Sequence, residues 1–117
     1  MLQVAELAPQ MPVSTKSYAV EAPDDALRGG GDKDLRRGEW AIVDPHRQPA
    51  AGDLVHAVDP ATGAHVLRVF VPLHPTNPRA PGALLRAATG ATHDEIFVGA
   101  DDSDAIKGVI VGKQVAW

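Results

Sequence analysis

Between Leu35 and Val71 the chain reads LRRGEWAIVDPHRQPAAGDLVHAVDPATGAHVLRVFV, three short apolar runs set apart by turn-forming residues. The runs, Trp40 to Val43, Leu54 to Val58 and Val66 to Val71, are rich in β-branched and aromatic side chains, which suit a pleated, half-buried surface. Asp44-Pro45 followed by Gly52-Asp53 separates the first two, and Asp59-Pro60-Ala61-Thr62-Gly63 the second two. Proline fixes φ and glycine tolerates conformations closed to other residues, so both links suit chain reversal. The stretch predicts three consecutive strands joined as an antiparallel meander.

The remainder of the chain is consistent with that pattern. At 117 residues it is long enough for one core and not for two. Its 11 glycines and 10 prolines favour short strands and turns over long helices. Only five residues are aromatic, so Val, Leu, Ile and Ala must fill the interior. The expected fold class is mostly β, an antiparallel domain built as a meander of short strands or a partly open barrel.

Taken in order, residues 1 to 18 hold Pro9, Pro12, Ser14 and Thr15 and read as an N-terminal arm or linker, or as a short segment packing Leu2, Val4 and Leu7 across the body. The domain proper is expected over residues 19–117, with Tyr18-Ala19-Val20 as a brief first strand. Gly29-Gly30-Gly31 predicts a mobile loop, because ordering three glycines costs much entropy. His74 to Gly82 holds three prolines and reads as an irregular connection. Ala83 to Ala88 fits a strand or a short helix, with context favouring strand, and Glu95 to Ala100 predicts another. An acidic turn at Asp101, Asp102, Ser103 and Asp104 leads to Ile106 to Trp117, whose two glycines mark a bulge or a close backbone approach.

Charge and composition narrow the function classes. A net charge of −4 offers no cationic surface for nucleic acid, and the sparse aromatics offer no stacking platform. With no cysteine there is neither a disulfide framework nor a thiolate zinc site. The start of the chain lacks a basic segment leading into an apolar run, and no run of about 18 apolar residues occurs, which predicts a cytoplasmic protein without a membrane span. His46, His56, His65, His74 and His93 have no tight ligand spacing, so no metal is expected; His56 and His65 could face each other across the second and third strands. The acidic groups lack the order of a calcium loop, the glycine run lacks the helix of a phosphate loop, and no other cofactor is implied.

A set of landmarks recurs in a fixed order: Val20, then Gly38-Glu39-Trp40-Ala41-Ile42-Val43-Asp44-Pro45, Pro49-Ala50-Ala51-Gly52-Asp53-Leu54-Val55, Val66-Leu67-Arg68-Val69-Phe70, Asn77-Pro78 and Ile106-Lys107-Gly108-Val109-Ile110-Val111-Gly112. In that order, from about Tyr18 to Val115, the chain resembles the C-terminal domain of the LexA-like family of self-cleaving repressors, which includes phage repressors and mutagenesis polymerase subunits. The resemblance implies a serine–lysine dyad in which a neutral lysine takes the serine proton so that the hydroxyl attacks an Ala-Gly or Cys-Gly bond.

At the corresponding positions this chain has other residues. The nucleophile motif falls on Val20-Glu21-Ala22-Pro23-Asp24-Asp25, which puts Asp24 at the nucleophile and Arg68 at the base. A carboxylate lacks the attacking hydroxyl, and a guanidinium stays protonated where a lysine can be made neutral. The only Ala-Gly is Ala51-Gly52, inside a landmark, and Cys-Gly is absent. The resemblance therefore implies a non-catalytic domain in which Asp24 and Arg68 form an ion pair in the place of the dyad. It also implies a homodimer joined through the last strand, here Val109, Val111, Val115 and Trp117, or a protein partner, in a phage or bacterial transcriptional regulator. The roughly 18 residues before the first strand leave no room for a helix-turn-helix, so DNA contact is expected from another domain or polypeptide. Two alternatives stay open: an active enzyme using Ser14 or Ser17 with Lys16 or Lys33, and an unrelated small β-barrel binding module.

Overall fold

The computed structural model describes residues 8–9, 16–28, 34–74, 76, 82–88, 95–102 and 104–114. The strands are β1 (Ala8–Pro9), β2 (Tyr18–Glu21), β3 (Trp40–Asp44), β4 (Leu54–Val58), β5 (His65–Pro72), β6 (Ala83–Arg86), β7 (Ile96–Val98) and β8 (Ile106–Lys113). Among the described residues a 3-10 turn, Ala100–Asp102, carries Asp101 and Asp102, and no α-helix occurs. The chain is thus mostly antiparallel β. The ambiguous Ala83 to Ala88 segment is a strand as far as Arg86, after which the Ala88 amide donates to Ala26 O at 2.7 Å.

Strand order is β2-β3-β8-β4-β5-β6-β7, every neighbour antiparallel, with β1 added against the end of β8. The expected meander of the first three long strands is corrected here. β4 and β5 form a hairpin, Leu54 opposite Val69 through Val58 opposite His65, but β3 and β4 do not touch as neighbours because β8 lies between them. Asp44 and Val55 both pair with Val109, from opposite edges of β8. Residues 45–53 therefore link strands on either side of a third. The physical reason is burial: Val109, Ile110 and Val111 are all fully buried, and a strand apolar on both faces gains most from the centre of a sheet.

That central position also revises the expected self-association edge. Val109 and Val111 have exposures of 1% and 0% and belong to the protein's own core. Val115 and Trp117 lie outside the described residues, as do Ser14, Lys33, the triple glycine, Asn77, Pro78 and His93. Trp40 is half-buried at the start of β3.

Alternation sends the strand side chains to two packed faces. One collects Ala41, Val43, Leu54, Leu67 and Ile110 beneath Ala22, Leu27 and Leu35 of the β2–β3 connection. The other collects Ile42, Val55, Ala57, Val66, Val109 and Val111 against Leu85 and Val98. Burial on both faces is why the runs read as continuous apolar stretches. The sheet also curls strongly: β2 and β4 stand three places apart, about 14 Å in a flat sheet, yet the Tyr18 hydroxyl lies 2.7 Å from Nδ1 of His56.

Candidate functional site at the Asp24–Arg68 pair

The connection from β2 to β3 is tied down by its own backbone and carboxylates. Ala22 N–H donates to Glu39 O, Gly38 N–H to Ala22 O, and Leu35 N–H to Leu27 O. Asp24 Oδ1 accepts from the Ala26 amide at 3.0 Å, a short turn of the kind aspartate favours. Asp25 Oδ1 accepts from the Arg37 amide at 2.8 Å and so holds the two limbs together. Curling of the sheet then brings this connection over the start of β5.

There Arg68 meets Asp24. Its Nη1 donates to Asp24 Oδ1 and its Nη2 to Asp24 Oδ2, both at 3.3 Å, a two-pronged pair at the long end of hydrogen-bond range. The side chains are 6% and 20% exposed. Nη1 also donates to Leu67 O at 2.8 Å, while the buried Nε makes no hydrogen bond among the described residues. The structure thus brings together Asp24 and Arg68, residues 44 apart in sequence, as the expected ion pair. An acceptor-only carboxylate engaged by a guanidinium provides neither a nucleophilic hydroxyl nor a neutral amine.

The alternative nucleophile is differently placed. The Ser17 hydroxyl is buried and has no hydrogen-bond partner among the described residues.

A second polar cluster lies under the same curl of the sheet. Tyr18 Oη contacts His56 Nδ1 at 2.7 Å, and His56 Nε2 contacts His65 Nδ1 at 2.9 Å, with the two imidazoles stacked at 5.1 Å between centroids. The chain runs from a half-buried phenol through a buried imidazole to an exposed one. Burial pushes the His56 pKa down to about 4, helped by the nearby His65 and Lys107, and burial pushes the Tyr18 phenol up to about 12. Neither group is activated as a base or nucleophile by these shifts. The sequence pointed to the His56–His65 pairing through the hairpin but gave no sign of Tyr18, 38 residues from His56. His46 and His74 are exposed, and no three His, Cys, Asp or Glu side chains converge among the described residues.

At the opposite end of the sheet Trp40, Gly38, Glu39, Lys113 and Gln114 line a shallow recess. Lys113 Nζ donates to Glu39 Oε2 at 3.1 Å and to Asp34 O at 3.3 Å. The Arg36 amide, with Lys113 a further cause, holds the Glu39 carboxyl below its usual range. Each of these charges has a partner, and the cluster staples β8 to the β2–β3 connection. No helix among the described residues is long and apolar enough to cross a membrane. Compared with known families and with curated proteins, the chain matches no family model and no curated protein.

Proposed function

We propose that this chain is a non-catalytic domain of LexA-like type, acting as a dimerisation or protein-interaction module of a bacterial or phage transcriptional regulator. The observation that supports it most is the Asp24–Arg68 pair, 3.3 Å apart at both prongs and largely removed from water. A two-pronged pair at these two positions is what this reading expects. The substitutions are complementary: one partner became an anion and the other a permanent cation, so the old cleft stays electrostatically satisfied while the proton transfer of the dyad is lost.

Intact mass after prolonged incubation at alkaline pH tests the loss of self-cleavage. A deprotonated lysine would drive that reaction, so an unchanged mass is expected and discrete fragments would refute the reading. Light scattering tests the interaction role: a dimer supports self-association, and a strict monomer leaves only a heterologous partner.

A further inference from the structure

We infer that the outer face and free edge of β7 form a docking site for an extended peptide segment of a partner protein, with apolar side chains at alternate positions and a lysine or arginine toward one end. β7 is the last strand in the sheet order, and among the described residues it pairs with β6 alone, leaving its other edge without a strand partner there. Register places Val71 opposite Leu84 and Leu84 opposite Phe97, a cross-strand row that runs to that edge. Val71 and Leu84 are half-buried, and Phe97 is 58% exposed, the most exposed large apolar side chain described. Leu73, 40% exposed, lies two residues beyond Val71, beside Gly82. The rows to either side behave differently: Ala83 and Val98 are buried, as is Leu85 beside Ile96, so the exposure of this row is not a general property of the segment.

Charge selects the occupant. Past the end of β7, Asp101 and Asp104 are exposed and Asp102 is half-buried with its Oδ2 accepting from the Gly99 amide. At its start Glu95 is ion-paired with Arg86, which consumes the cation of that edge. A strand added from a partner carrying a basic residue next to its apolar ones meets both the open hydrogen-bonding edge and the carboxylates. The inference goes beyond the non-catalytic reading and stands without it, since it uses neither Asp24 nor Arg68.

The test is selection of a displayed random library of peptides about ten residues long on the intact chain, a length matched to a strand with its flanks. Recovered sequences are then synthesised and their binding measured by fluorescence anisotropy. Expected is enrichment of alternating apolar sequences with Lys or Arg, weakening by about tenfold or more against Phe97→Glu and against the double variant Asp101→Lys with Asp104→Lys. All three positions are exposed and outside the core, and circular dichroism verifies folding. Protection of the Ile96, Phe97 and Val98 amides from hydrogen exchange on binding would mark strand addition. Absence of enrichment, recovered peptides without basic residues, or binding unchanged by Phe97→Glu overturns the inference. So does a dimer in light scattering that Phe97→Glu dissolves, because the occupant would then be a second copy.

Discussion

At the scale of single residues the decisive feature is a charge pair that cannot be removed one half at a time. With Arg68 only 6% exposed at its side chain, taking away the carboxylate strands a guanidinium in the interior. Asp24→Ala is expected to cost ~3–5 kcal/mol. Replacing both, Asp24→Ala with Arg68→Met, removes the stranded charge and should recover most of that loss, because well-packed apolar groups often equal a buried ion pair. Urea unfolding of the two single variants and the double variant measures the coupling. If the two single losses simply add, the pair contributes nothing as a pair. Their pairing was raised by the sequence only as an expectation. Their engagement depends on tertiary structure, because 44 residues separate them. The same limit hid Tyr18 as the partner of His56.

At the scale of elements, β8 carries the fold. Its three neighbours are β3, β4 and β1, and the register shifts where β3 and β4 meet it, between Ile42 and Val43 and between His56 and Ala57. Gly108 sits between those irregularities. A Cβ there would lie 2.6 Å from Val43 Cγ1 and 2.8 Å from Asp44 O, and backbone cannot give way as a flexible side chain can. Gly108→Ala is therefore expected to destabilise by about 1–3 kcal/mol, read as a lower urea midpoint; an unchanged midpoint would mean that β3 is free to shift. The bulge or close approach was legible from glycines interrupting an apolar run. Strand existence was legible too, since β3, β4 and β5 fall within a residue of the apolar runs. Their order was not, because apolar periodicity reports how buried a strand is and not which strand lies beside it.

At the scale of the whole molecule, closure of the curled sheet depends on contacts such as Tyr18 with His56, and these respond to pH. His56 has a folded-state pKa of about 4 against an ordinary value near 6.5, so the unfolded chain binds more protons between those limits. The stability linked to it is complete above about pH 6.5, falls as pH drops toward 4, and is constant below; after discounting for solvent screening the expected difference is on the order of 2 kcal/mol. Urea unfolding across that window, compared with a His56→Gln variant, should show the excess pH dependence in the parent alone. Equal slopes in both would mean that His56 can be charged in place.

The sequence by itself determined that this chain is mostly β and where most of its strands lie, because side-chain shape and turn chemistry are local in the chain. Tertiary structure alone decided that β8 divides β3 from β4, that Val109 and Val111 face inward, that Asp24 reaches Arg68, and that Phe97 remains in solvent. Each of these depends on which apolar faces bury one another once the sheet curls, a competition between distant segments that no local pattern records.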